Sequence, residues 1–506
     1  MTEDPSRSSS PARCPTGVPG LDDILHGGVP EHRLYLVQGE PGVGKTTLAM
    51  QFLLEGVRKG EAGLYITLSE TKEEIEMVAR SHGWDLEGLH LFELSNVEEK
   101  LRGETENTFF HPSEVELNRT TETLLAEVER AQPARVVFDS LADMRLLAET
   151  PLRYRRQILR LKQFFAGKKI TVLFLDDTSG AGGDLGIESI VQGVVSLYRS
   201  APAYGIARRQ LVVQKIRGSA FLEGNHDLVL RRGGMAVFPR LVAADHHAPF
   251  QRESVASGIA GLDALLGGGL DRGTSTMFMG PPGTGKSTVA TKFAHVAAER
   301  GEKSLLFIFD ETAGTFLARA KALGMPLEAF VDAGLVKVQQ IDPAEISPGE
   351  LVHRIRRAVR EDSVRLVMID SINGYLNAMP GERYLTLQLH EMLAFLAQQG
   401  VITIMMLAQQ GLVGAMESSV DLTYLADTIV LSRYFEARGA VRLAISIIKK
   451  RTGDHERTIR EYRLTPHGIE IGPPLDNMQG VLTGIPTLLA EKPLFDPTAT
   501  GKAAAP

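Results

Sequence analysis

Short apolar runs, each broken by glycine, proline or an acidic residue, recur along the chain. The longest, such as Val401 to Ala408, are β-branched or Met-rich and predict strands buried on both faces of a mainly parallel sheet. Arg33-Leu-Tyr-Leu-Val-Gln38 predicts a strand, and Thr47 to Leu54 has the period of a helix. Apolar strands that end in an acid are predicted at Leu64 to Glu70, Arg135 to Asp139, Leu305 to Glu311 and Arg365 to Asp370. Two further strands, Gln210 to Arg217 and Ala444 to Arg451, alternate cations with apolar residues, so Lys215 and Arg217 share one face, as do Lys449 and Arg451.

The pattern occurs twice. Gly-Val-Pro-Gly-Leu-Asp at 17–22 returns as Gly-Ile-Ala-Gly-Leu-Asp at 258–263, and Gly39 to Thr46 returns as Gly280 to Ser287, both shifted by 241 residues. Glu70 meets Glu311 at the same shift, whereas Asp139-Ser140 meets Asp370-Ser371 at 231, so the first copy carries ten more residues, placed in the acidic stretch Val97 to Thr108. Register kept over this length indicates duplication. The expected organisation is an N-terminal tail at 1–14, a first domain at 15–243, a linker at 244–252, a second domain at 253–489 and a tail at 490–506. Both tails, rich in Ser, Pro, Ala and Thr, are expected to be disordered. The linker holds His246 and His247, which point apart in an extended chain and make no metal site.

Composition narrows the classes. With 43% hydrophobic residues and a net charge of −7, the chain reads as globular with no general basic field for nucleic acid or anionic lipid. One cysteine, Cys14, excludes a disulfide framework and a Cys-rich zinc site, which fits a reducing cytoplasm. The opening MTEDPSRSSSPARCP lacks a signal-peptide core, and no run reaches membrane-spanning length, so neither secretion nor membrane insertion is expected.

The chemistry lies in the repeated glycine runs. Each sits between a strand and a helix, the setting a phosphate-binding loop requires. Gly39, Gly42 and Gly44, with Val43 between them, let the backbone amides face phosphates, and the helix that follows adds its positive end. Lys45 is then placed for β/γ-phosphate oxygens, Thr46 for Mg²⁺, and Thr47 follows on the helix. Gly280, Gly283, Thr284, Gly285, Lys286, Ser287 and Thr288 repeat these roles. Asp139 and Asp370 complete the expected metal shell with Thr46 and Ser287; a strand-end aspartate also commonly caps a helix, but this setting favours the metal. Glu70 in the first copy, and Asp310 with Glu311 in the second, are the candidates for orienting the attacking group, against the plainer alternative that they cap helices starting near Thr71 and Thr312. The paired cations suit a phosphate reached from a neighbouring subunit, or else a solvated sheet edge.

Together these residues resemble the KaiC family of RecA-like ATPases over nearly the whole chain. The carrying segments are Thr16 to Asp22 with Gly27 to Pro30, both phosphate loops, Phe309 to Thr312, Ile369 to Tyr375, Lys215 to Gly218 and Lys449 to Arg451. The resemblance implies two tandem RecA-like P-loop domains, ATP and Mg²⁺ as cofactors, and a homohexameric double ring with nucleotide between subunits. Lys215, Arg217, Lys449 and Arg451 would then reach the neighbour's phosphates in trans. It also implies Ser/Thr autokinase activity in the second domain, with Thr423 as phosphoacceptor. Two positions depart from the family: Tyr424 fills the second place of the acceptor pair, and Ser69 replaces a carboxylate. A regulatory protein partner is left open. Two other readings stand beside the ATPase. A DNA-binding motor would need basic channel loops, yet 178–188 and 411–421 carry acids and no Lys or Arg. A signalling scaffold would hold nucleotide with negligible turnover.

Overall fold

The computed structural model describes residues 12–94, 112–178, 186–202, 205–377, 384–411, 421–483 and 486–488. The acidic stretch 97–108, the chain ends and most of the two candidate channel loops lie outside these residues. The chain divides into two compact units, one through Arg240 and one from Leu241.

In the first unit nine strands form one sheet: β1 (Leu34–Gly39), β2 (Gly63–Thr67), β3 (Leu89–Glu93), β4 (Arg135–Asp139), β5 (Thr171–Asp177), β6 (Gly193–Ser200), β7 (Arg208–Ile216), β8 (His226–Arg231) and β9 (Gly234–Phe238). In the second they are β10 (Ser275–Gly280), β11 (Lys303–Ile308), β12 (Val336–Gln340), β13 (Val364–Asp370), β14 (Ile402–Ala408), β15 (Thr428–Ala437), β16 (Ala440–Lys450), β17 (Arg460–Thr465) and β18 (Gly468–Pro474). The spatial order 3-2-4-5-1-6-7-8-9 of the first sheet is reproduced strand for strand as 12-11-13-14-10-15-16-17-18 in the second. Strands from β3 to β6 run parallel, and β6 to β9 add antiparallel hairpins.

The apolar runs have the double-sided burial that parallel strands need. Tyr35 and Val37 of β1 enter one core with Leu48 and Phe52, while Leu34 and Leu36 enter the other with Phe138 and Phe174. In the second unit Met277 and Met279 face one core and Phe278 the other. Helix α1 (Lys45–Arg58) follows β1, α2 (Lys72–His82) follows β2, α3 (Lys286–Glu299) follows β10 and α4 (Ala313–Ala322) follows β11. Gly44 and Gly285 open α1 and α3 at φ 113° and 78°, a left-handed conformation that side chains resist. A Cβ on Gly285 would also lie 2.7 Å from Leu464 Cδ1.

The repeated Gly-x-x-Gly-Leu-Asp segment is a local clasp. Asp22 Oδ1 accepts from the amide and hydroxyl of Thr16, both at 2.8 Å, and Asp263 Oδ1 accepts from those of Ser257, both at 2.7 Å. Arg13 and Cys14, assigned to the tail by composition, are part of the first unit: Arg13–Cys14 pairs with Val29–Pro30, Cys14 is buried, and the Arg13 guanidinium donates to the carbonyls of Leu25 and Gly28. The segment 244–252 lies against the second unit. Ala248 N donates to Gln398 O at 3.3 Å, the Gln399 amide donates to His246 O, and Arg360 lies 2.7 Å from His246 Nδ1.

Candidate nucleotide sites

Both glycine loops emerge at the carboxyl ends of central strands, where open α/β sheets bind ligands. In the first, the buried Lys45 ammonium folds back over the loop and donates to Gly39 O at 2.9 Å and Glu40 O at 3.0 Å. Its third contact is the Asp177 carboxylate, 2.5 Å away at the end of β5. Thr46 Oγ1 donates to Asp139 Oδ2 at 3.0 Å, and Tyr65 donates its hydroxyl to the same oxygen. Burial pushes the Asp139 carboxyl above its usual range, while the Tyr65 and Thr46 bonds and the Lys45 charge oppose that shift.

The second loop repeats the frame with different charges. Lys286 Nζ donates to Gly280 O and Pro281 O, both at 2.8 Å. Burial pulls its ammonium down to about 8, and the Asp370 charge opposes that shift. Ser287 bonds to Asp370, whose carboxyl is raised by burial. Thr284 Oγ1 donates to Pro281 O at 2.9 Å and fixes the loop. Val43 at the same place in the first loop is fully buried and packs instead.

The candidate catalytic acids differ more. Glu70 follows β2 with its backbone tied to Thr67, but its Oε2 is buried with no hydrogen-bond partner among the described residues. Burial, then the nearby Asp139 charge, raises its carboxyl above the ordinary range. Helix α2 is capped by Thr71 with Glu74 in a reciprocal box, so its start does not use Glu70. In the second copy Asp310 accepts from Ser371 Oγ at 2.8 Å, and Glu311 accepts from Arg319 on α4, which also reaches Thr288 Oγ1 at 3.2 Å. The paired carboxylates therefore have separate partners. Thr47, equivalent to Thr288, is buried at the start of α1.

The cationic strands reach the turn that precedes the neighbouring strand in their own unit. Lys215 and Arg217 donate to the carbonyls of Glu188 and Ser189; Lys449 donates to Thr423 O at 2.9 Å and Ala426 O at 2.7 Å, and Arg451 to Tyr424 O at 2.8 Å. Burial lowers both lysines, and the adjacent arginine lowers them further. Thr423 Oγ1 donates to Asp421 Oδ1 at 2.6 Å, while the Tyr424 side chain is exposed.

Sequence reasoning passed over four of these residues. Tyr65 reads as an ordinary strand aromatic, and Arg319 as one more helix cation. Asp176 and Asp177 did carry a signal, because they end an apolar strand as Asp139 does. Asp176 turns to Arg145, and burial holds its carboxyl at about 6 despite that partner.

The oxygen donors on each loop suit a hard cation: a hydroxyl and one carboxylate, with phosphates and water to complete the shell. Among the described residues no group of three or more His, Cys, Asp or Glu is placed to hold a metal by itself.

Two doubly flanked sheets, each with a lysine-bearing glycine cradle at its centre, define tandem P-loop ATPase domains of the RecA-like class. The chain belongs to the KaiC family of ATPases: a family model described as "ATPase: KaiC" matches residues 14–242 and again 255–476. The circadian clock oscillator protein KaiC of Thermostichus vulcanus is 27% identical over 519 residues, spanning 97% of this chain and 96% of that protein. That of Synechococcus elongatus is 27% identical over 487 residues, 94% and 92% of the two chains. Circadian clock protein KaiC3 of Synechocystis is 26% identical over 491 residues, 94% and 95% of the two chains. No helix among the described residues is long and apolar enough to cross a membrane.

Proposed function

We propose that the chain is a Mg²⁺-dependent ATPase whose two domains, 15–243 and 253–489, each bind ATP, and that it works as a homohexameric double ring in the cytoplasm. The observation that carries the reading is the repeated unit of buried lysine, loop hydroxyl and strand-end carboxylate. Gly39, Gly42, Gly44, Gly280, Gly283 and Gly285 shape the cradles; Lys45 and Lys286 hold phosphate oxygens; Thr46 with Asp139 and Ser287 with Asp370 hold the cation. Mg²⁺ in that position supplies charge neutralisation at the phosphates. Glu70 and Glu311 orient the attacking water and accept its proton as its oxygen bonds to the γ-phosphorus and the bond from that phosphorus to the β–γ bridging oxygen breaks, releasing ADP and phosphate.

In the ring, Lys215, Arg217, Lys449 and Arg451 reach the neighbour's nucleotide. Their placement where β7 and β16 end, with a lysine and an arginine of each pair meeting one turn, supports that role. Autophosphorylation in the second domain has Thr423 as its acceptor, supported by a hydroxyl already bonded to the Asp421 carboxylate.

Phosphate release measured beside native mass, with and without ATP, tests this reading. Turnover and ATP-dependent assembly in the parent, both lost in Lys45→Ala with Lys286→Ala, are expected; turnover unaffected by the double substitution would reject it. γ-Labelled ATP that leaves no label on Thr423 would remove the kinase part alone.

A further inference from the structure

We propose that Asp177 is a specificity-determining residue of the first site, where it competes with nucleotide phosphates for Lys45 and lowers that site's affinity for the triphosphate. The inference rests on the nucleotide-binding reading given above.

The geometry is set by sheet register. Strand β5 lies beside β1, and Gly39, which opens the phosphate loop, is aligned with Asp177. That register brings the carboxylate to 2.5 Å from Lys45 Nζ. The lysine side chain is only 9% exposed, so little water competes for it, whereas Asp177 at 33% retains access to solvent. The adjacent acid does not share the work, because Asp176 turns to Arg145.

In the second unit the same register aligns Gly280 with Ala408. Alanine offers no charge, and the Ala408 backbone is engaged by Asn373, which accepts from its amide at 2.7 Å and donates to its carbonyl at 3.1 Å. Lys286 therefore meets main-chain carbonyls at 2.8 Å where Lys45 also meets an acid. At the strand position beside the loop, the two copies thus differ by the one carboxylate that pairs with the phosphate-loop lysine.

A phosphate that takes Lys45 must displace Asp177 from it and then lie near a like charge. Each added phosphate charge raises that penalty, so the triphosphate is disfavoured more than the diphosphate at this site. Solvent access lets Asp177 swing away, which limits the effect to about tenfold in affinity.

The experiment uses the full chain with one site silenced at a time, titrated with a fluorescent ATP analogue and its ADP counterpart in the presence of Mg²⁺. With Lys286→Ala silencing the second site, Asp177→Asn keeps the shape and removes the charge, and is expected to tighten triphosphate binding about tenfold while changing diphosphate binding less. With Lys45→Ala silencing the first site, Ala408→Asp is expected to weaken triphosphate binding by a similar factor, and Ala408→Asn to change it little. Unchanged or weaker triphosphate binding in Asp177→Asn, with the parent binding normally, would overturn the role of Asp177 and leave the nucleotide reading intact. Failure of the unsubstituted chain to bind either analogue would overturn both.

Discussion

Arg319 donates to the Glu311 carboxylate, and the corresponding position of the first copy, shifted by 241 residues, is Val78. Arg319 also reaches Thr288 on the phosphate-loop helix and lies over the Phe316 ring, 5.3 Å from its centroid. The guanidinium therefore fixes Glu311 relative to the loop. Arg319→Ala is expected to lower second-site kcat by about tenfold to a hundredfold with little change in KM, since an orienting group acts on the step after binding. Arg319→Lys should restore part of the loss. Single-site phosphate release in a Lys45→Ala background measures both; an equal change in kcat for the alanine and lysine variants would remove the orienting role.

Glu70 has no such partner, and burial together with Asp139 raises its carboxyl above 4.5. A water-orienting carboxylate works ionised, so first-site turnover should fall as pH drops through the raised value, before ordinary carboxylates protonate. The linkage has the matching sign: between the unfolded and folded values the native state holds a proton that the unfolded chain lacks, so this group's contribution to stability declines as pH rises through that window. A pH profile of phosphate release in Lys286→Ala tests this, and activity that stays level down to pH 4.5 would contradict it. Glu70→Gln should bind nucleotide normally and lose about a hundredfold or more in first-site turnover.

Thr46 and Asp139 meet at 3.0 Å, and among the described residues Asp139 is the acid that the hydroxyl bonds. Asp139→Asn should therefore abolish the gain in ATP affinity that Mg²⁺ confers on the first site while leaving binding without Mg²⁺ nearly unchanged. Titrations with and without the cation in Lys286→Ala decide it; a Mg²⁺ effect that survives would place the cation elsewhere.

Arg135 is a structural test of the duplication. It is 1% exposed, pairs with Glu61 at 2.5 Å, and donates to Pro15 O and Phe52 O at 2.8 Å. Sheet register places Leu366 at the equivalent point of the second unit. Arg135→Ala leaves a half-buried acid and two carbonyls without their donor, and should cost about 3 to 5 kcal/mol in denaturant unfolding of the first unit. Arg135→Leu, which fills the space as its counterpart does, should cost less.

The glycine runs, the strands before them and the duplication are legible in sequence because each depends on local pattern: two-sided burial for β1 and β10, left-handed backbone for Gly44 and Gly285. The period of two in Gln210 to Arg217 also placed Lys215 and Arg217 on one face, and both do reach the same turn. What stayed hidden depends on strand order. Nothing near Asp177 in sequence says that β5 lies beside β1, so its approach to Lys45 could not be read. Arg319 was hidden because Glu311 lies eight residues before it, outside the helical i, i+3 and i, i+4 spacings, and its second contact, Thr288, is on another helix. The pairing of Arg13–Cys14 with Val29–Pro30 was hidden by the surrounding Ser and Pro, although Cys14 is the kind of residue that is usually buried.

Calorimetric titration of the purified protein with a non-hydrolysable ATP analogue and Mg²⁺ measures directly whether one chain holds two nucleotide sites. Two binding events per chain are expected, one lost in Lys45→Ala, the other in Lys286→Ala, and both in the double variant. No uptake by the unsubstituted chain, or uptake that the double variant retains, would contradict that expectation.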